Sequence, residues 1–269
     1  MNWQDATETL LKPLNNAQRL GVISDMDGTL SHIVSQPDQA AVTPRNRDLL
    51  HALHSQLALV AVVSGRAVID VQARVGLPEL VYVGNHGLER WVDNQVELTP
   101  EALQHRPAVE AALRDVREVA IDGMFVEDKG ATFSIHYRNT ANPLAIGEQY
   151  SPVMAEIAQR HGLRYFQGRM VFELRPPIEV DKGSALQALI ESYTLDAAVF
   201  LGDDTSDVDA LKMARKLREQ GTCYAIGVGV ASADMPSAVQ DSADVMVSGV
   251  SGVESFLEWL LNAASASSS

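Results

Sequence analysis

Leu59-Val60-Ala61-Val62-Val63 is a run of apolar, mostly β-branched residues with no polar member to alternate with. A strand with one wet face alternates. A continuous apolar run is covered on both faces, as in a parallel sheet held between layers of helix. Similar runs recur at Val22-Ile23, 80–83, 197–201, 224–228 and 245–247. Helical stretches separate them. Thr43-Pro44 supplies a cap and a first-turn proline, and Leu49, Leu50, Leu53 and Leu57 form one apolar stripe. A second helix reaches about Val75 and is stopped by Gly76 and Pro78. Residues 181–193, the charged stretch 205–220 closed by Gly221, and 252–263 read as three more.

The middle of the chain follows another pattern. At 131–138, Ala131, Phe133, Ile135 and Tyr137 share one face, and Thr132, Ser134, His136 and Arg138 share the other. That alternation predicts a half-exposed, antiparallel strand. Residues 97–123 and 151–162 read as helices. The expectation is an α/β fold: a doubly wound, mostly parallel, Rossmann-like core with an inserted α+β cap domain. The core takes residues 1–90 and 178–264, the cap 91–177, and 265–269 are a disordered Ser/Ala tail.

The chain has 269 residues, enough to bury a substantial core, and a formal charge of 21 − 35 = −14. That charge excludes general binding to nucleic acid or to anionic membranes. Cys223 is the only cysteine, so no intrachain disulfide exists, and its apolar neighbours Tyr224, Ala225 and Ile226 suggest a buried, inert thiol. No secretory signal opens the sequence, and the longest core-like run, 57–63, is too short to cross a bilayer. A reduced cytoplasmic setting and a monomer are expected.

Asp25-Met26-Asp27-Gly28-Thr29-Leu30 directly follows the first apolar run. Paired carboxylates at the mouth of a buried strand are costly unless a cation or a reaction keeps them there. Ser64-Gly65-Arg66, Lys182 at a helix start and Gly202-Asp203-Asp204-Thr205-Ser206-Asp207 also fall at strand ends or helix starts. In open α/β sheets ligands bind at that edge.

These four motifs, in this order, resemble those of the haloacid-dehalogenase superfamily of phosphohydrolases. The insert between the second and third motifs resembles the α/β cap of its sugar-phosphatase branch. The Gly202 to Asp207 motif is similar to that of trehalose-6-phosphate phosphatases, with Ser206 where Thr is usual. Gly84-Asn85-His86-Gly87-Leu88-Glu89 fits too, as do Val126-Glu127-Asp128-Lys129-Gly130, His136-Tyr137-Arg138 and the motif from Gly168 to Pro176, where Arg169 replaces a lysine.

The resemblance implies hydrolysis of trehalose 6-phosphate through an aspartyl-phosphate. Asp25 would be the nucleophile and Asp27 the general acid, then base. Mg²⁺ would be held by Asp25, Asp203, Asp207 and the main-chain carbonyl of Asp27, with Asp204 a further candidate. Helix capping by Asp203, Asp204 and Asp207 stays open. Thr29, Ser64 and Lys182 would bind the phosphoryl group, Lys182 also balancing the charge of Asp25. Arg66 would grip phosphate, orient the cap or make an exposed salt bridge. Glu127, Lys129 and Glu173 would read the sugar, unless they form a solvated strand face. Asn85 and His86 would line the cleft, His86 serving equally well as a hinge residue. The same chemistry on another sugar phosphate, transfer to an acceptor other than water, and a non-catalytic sugar-phosphate binder remain the alternatives.

Overall fold

The computed structural model describes residues 1–34, 37–168 and 170–267. In chain order the first stretch runs β1 (Leu20–Ser24), α1 (Pro44–His54), β2 (Leu59–Val63), α2 (Val68–Val75), β3 (Val81–Gly84), β4 (Glu89–Val92) and β5 (Gln95–Leu98). The middle runs α3 (Pro100–Val119), β6 (Phe125–Asp128), β7 (Phe133–His136), α4 (Pro143–Arg160), β8 (Arg164–Gly168) and β9 (Val171–Arg175). The last runs α5 (Lys182–Ser192), β10 (Ala197–Gly202), α6 (Val208–Glu219), β11 (Tyr224–Ala231), α7 (Ser237–Ser242), β12 (Val245–Ser248) and α8 (Gly249–Ser267). The chain divides into two compact units, residues 1–95 with 180–269, and residues 96–179.

The strands of the first unit lie in the order β12-β11-β10-β1-β2-β3-β4. The pairs from β12 through to β3 are parallel, and β4 is antiparallel to β3. Alternate residues of each central strand enter different apolar layers. Val22, Val60, Val62, Val199 and Leu201 pack with α1 and α8 residues such as Leu50, Leu53, Phe256 and Leu257. Ile23, Ala61, Val63, Ala198 and Phe200 pack with Leu186, Leu189 and Leu211 of α5 and α6. Burial on both faces is why these strands read as unbroken apolar runs. The chain winds outward from β1 to β2 and β3, then returns to β10 on the other side of β1. The crevice at the carboxyl ends of β1 and β10 is therefore the topological switch point.

The second unit carries an antiparallel sheet in the order β6-β7-β9-β8 with α3 and α4. Its core holds Phe133, Ile135, Phe172, Leu174, Leu113, Val116, Met154 and Ile157, with Tyr137 stacked on Phe172 at 4.5 Å between ring centroids. Thr99 and Asn142 cap α3 and α4, each followed by proline in the first turn.

Several local expectations are corrected. Thr132 and Ser134, placed on a half-exposed face, are buried. Ser134 lies between Glu127 and Glu173 in the neighbouring strands, and Lys129 bonds to Glu173, so a polar cluster occupies that face. The expected helix at 97–123 begins only at Pro100, because Glu89–Val92 and Gln95–Leu98 form a hairpin. Asp93 and Asn94 make its turn with φ of +49° and +62°, a conformation that Asp and Asn tolerate better than most residues. The second helix starts at Pro143 rather than 151, since Asn142 caps it early. Helix α8 runs through Ser267; alanine favours helix and serine costs little. Ser268 and Ser269 lie outside the described residues, as does Arg169. No helix among the described residues is long and apolar enough to cross a membrane.

Candidate active site

Asp25 is the first residue after β1, and its N–H donates to the Leu201 carbonyl of β10 at 2.8 Å. That bond fixes its backbone in the switch-point crevice. Its carboxylate is buried and accepts from Lys182 Nζ at 2.6 Å. Lys182 opens α5, where Asp181 and Ser184 form a capping box. The same ammonium donates to Asp207 Oδ1 at 2.7 Å. Asp207 is fully buried, and its Oδ2 accepts the N–H groups of Asp203 and Asp204 at 3.1 and 3.0 Å. Asp203 Oδ1 accepts the Thr29 hydroxyl at 3.2 Å.

Two glycines make this packing possible. Gly28 has φ +82°, and a Cβ there would lie 2.1 Å from Asp203 Oδ2. A Cβ on Gly202 would lie 2.4 Å from Asp207 Cγ. Any other residue at either position would push a carboxylate out of the cluster.

Asp25, Asp203 and Asp207 each offer an oxygen within 4.8 Å of the others. Three buried carboxylates face one ammonium, so the cluster carries excess negative charge. Burial pushes the Asp25 carboxyl well above its ordinary value; Lys182 opposes this, and Asp207 and Asp203 add to it. Burial, then Asp207, pushes Asp203 up to about 7. Burial alone would lower the Lys182 pKa, but Asp207 and Asp25 outweigh it and raise it. An all-oxygen, negatively overcharged donor set fits a hard divalent cation.

Asp27 stands apart from this cluster. Its carboxylate takes a two-pronged bond from Arg66, Nε to Oδ2 at 2.5 Å and Nη2 to Oδ1 at 2.9 Å. Arg66 is mostly buried, and its Nη1 donates to Asp70 at 2.9 Å. Its bridge is thus to Asp27 and Asp70, which corrects the exposed salt bridge kept open from sequence. Ser64 is buried at the end of β2, and its Oγ accepts the Arg66 N–H. Asn85 and His86 both adopt positive φ, and their N–H groups bond to the carbonyls of Arg66 and Ser64. A Cβ on Gly65 would lie 2.6 Å from the His86 ring, so that ring covers the Ser64-Gly65-Arg66 turn. Asp204 is exposed, and its Oδ1 accepts the Thr205 N–H, so it caps the short turn before α6 and does not join the buried carboxylates.

In the second unit, Lys129 Nζ lies 3.5 Å from Glu173 Oε1 and 4.0 Å from Glu127 Oε2. Glu127 also pairs with His136 at 2.9 Å, and Glu173 with Arg175. The sequence reading passed over Asp70 and Arg74, and gave Glu89 and Arg175 no role although both lie in the motifs it quoted. Glu89 is buried and accepts the Val68 N–H at the start of α2. Asp70 is four residues after Arg66 and Arg74 four after Asp70, a helical spacing that a solvated helix face shows equally.

The switch-point crevice, its aspartates and the inserted unit define a haloacid-dehalogenase-like fold. A haloacid dehalogenase-like hydrolase from Bacteroides thetaiotaomicron superposes with a TM-score of 0.63 at 16% identity, covering 90% of this chain and 100% of the other. The C-terminal domain of Candida albicans trehalose-6-phosphate phosphatase superposes with a TM-score of 0.72 at 20% identity, covering 95% and 96%. Residues 23–246 match the trehalose-phosphatase family model, and the chain belongs to that family. The trehalose-phosphate phosphatase of Mycobacterium marinum is 39% identical over 216 residues, which is 77% of this chain and 54% of the relative. The chain thus spans about half the length of the curated relatives it matches.

Proposed function

We propose that the chain is a Mg²⁺-dependent phosphatase that hydrolyses trehalose 6-phosphate to trehalose and phosphate. The observation that carries this reading is the Asp25–Lys182–Asp207 bridge beside Asp203, at the switch point of a chain in this family. Asp25 and Asp203, with the main-chain carbonyl of Asp27, would hold Mg²⁺, which offsets the surplus charge and polarises the phosphoryl group. Asp207 would join them directly or through water, while it holds Lys182 and the Asp203 backbone in place.

Asp25 attacks phosphorus, and the phosphorus–sugar oxygen bond breaks. One Asp27 oxygen has to leave the Arg66 fork to carry a proton, and Asp27 then gives that proton to the leaving alkoxide, releasing trehalose. Asp27 then takes a proton from water as the water oxygen attacks phosphorus. The bond to Asp25 breaks and phosphate leaves. Lys182, Thr29 and Ser64 stabilise the charge on the phosphoryl oxygens. Glu127, Lys129 and Glu173 supply acceptors and a donor that suit sugar hydroxyls. A buried Cys223, with its thiol pKa pushed up to about 11 by burial, accords with a reduced cytoplasmic setting. The test is phosphate release from trehalose 6-phosphate, sucrose 6-phosphate and glucose 6-phosphate, with Mg²⁺ and with excess EDTA. Metal-dependent release from the first alone supports the reading. Release only from the others overturns the substrate, and release unaffected by EDTA overturns the metal.

A further inference from the structure

Behind Asp27 lies a chain of alternating charges that the chemistry above does not use. Arg66 grips Asp27 with two prongs and gives its third nitrogen to Asp70 Oδ2 at 2.9 Å. Arg74 Nε donates to the same oxygen at 2.8 Å. Arg74 Nη1 then donates to the carbonyls of Asp38 and Ala40 at 3.0 and 2.7 Å, in the connection between β1 and α1. The side chains of Arg66 and Arg74 are only 16% and 14% exposed, so both are pinned rather than solvated. Asp27 itself is 37% exposed and sits on a turn next to a glycine. The guanidinium fork engages both oxygens of its carboxylate and so fixes their orientation.

We propose that Asp70 and Arg74 are positioning residues for proton transfer, acting through Arg66 to hold the Asp27 carboxylate in one orientation. The proposal rests on the assignment of Asp27 as acid and base. The physical reason is steep geometry: a displacement of about 1 Å at a reacting group can cost on the order of a hundredfold in rate. A lysine in place of Arg66 would keep the charge and lose the fork. All three guanidinium nitrogens of Arg66 are already engaged by Asp27 and Asp70.

The test uses Asp70→Asn, Arg74→Gln and the conservative Asp70→Glu in the full chain, with melting temperature as the check on folding. Single-turnover leaving-group release is compared for trehalose 6-phosphate and 4-nitrophenyl phosphate. An alkoxide needs the proton from Asp27, whereas 4-nitrophenolate leaves without it. Asp70→Asn and Arg74→Gln are expected to slow the sugar ester by about tenfold or more and the aryl ester by less than about threefold, with KM for both little changed. Asp70→Glu is expected to recover most of the loss. Equal losses on the two esters, or no loss on either, would overturn the proposal while leaving the functional reading intact. If the wild-type protein turns over the aryl ester and glucose 6-phosphate but not trehalose 6-phosphate, the substrate assignment falls, and the ratio is taken on glucose 6-phosphate with the same criteria. Wild-type turnover of none of the three overturns both.

Discussion

Replacing Asp203 with asparagine is expected to make the metal-free protein more stable. Asp203 is buried beside Asp207, and its carboxyl is raised from an ordinary 3.8 to about 7. Below pH 3.8 the group is protonated in both folded and unfolded chains and has no effect. Between 3.8 and 7 the unfolded chain releases the proton while the folded chain keeps it, so stability falls as pH rises. Above pH 7 the penalty is complete. About three pH units at 1.36 kcal/mol each give a penalty on the order of 4 kcal/mol, a large share of the roughly 5–15 kcal/mol typical of a folded domain. Asparagine has nearly the same shape and keeps an oxygen for the Thr29 hydroxyl, so it removes the charge with little else. Urea unfolding of both proteins in EDTA at pH 5 and pH 8 measures the effect. The variant should unfold at higher urea at pH 8, with a smaller advantage at pH 5. Mg²⁺ should stabilise the wild type and do so less for the variant. A variant equal to or weaker than wild type at pH 8 in EDTA would refute the claim that the cluster is overcharged without a cation.

Three further outcomes follow from the same structure. Lys182→Met leaves Asp25 and Asp207 buried without their shared cation and should cost about 3–5 kcal/mol in urea unfolding, as well as phosphatase activity. For Asp70, burial acts against ionisation, but hydrogen bonds from Arg74 and Arg66 hold its carboxyl below 3.8. Its contribution is therefore present above the unfolded value and lost as pH falls through the lower folded value. The stability gap between wild type and Asp70→Asn should narrow as pH falls below 3.8 and close once the folded carboxyl is also protonated, as seen by denaturant titration across pH. Glu173→Ala should raise KM for trehalose 6-phosphate by about tenfold and leave KM for 4-nitrophenyl phosphate near wild type; equal changes on both would remove Glu173 from sugar recognition.

The first unit was legible because its central strands are covered on both faces. Leu59–Val63 and Ala197–Gly202 read as buried runs, and the polar motifs at their ends then fall together at one sheet edge. The meeting of Asp25, Lys182, Asp203 and Asp207 follows from that topology. What lay hidden was mostly partnership. An arginine–aspartate–arginine series at helical spacing reads the same whether it lies in water or braces a buried group, so Asp70 and Arg74 gave no sign of their bond to Arg66. Asp204 and Asp203 are adjacent and chemically identical, yet only backbone direction decides which is buried and which caps a turn. The Asp93-Asn94 hairpin was masked because Glu97 and Leu98 also suit the start of a helix.

The most direct test of the account is to trap the covalent intermediate. The protein with Mg²⁺ and trehalose 6-phosphate is quenched in acid within its first turnover and then reduced with borohydride, which converts an aspartyl-phosphate to homoserine. Peptide mass analysis should find homoserine at position 25 and nowhere else. Rapid phosphate release with no modification at Asp25, or modification at Asp27 or Asp203 instead, would contradict it.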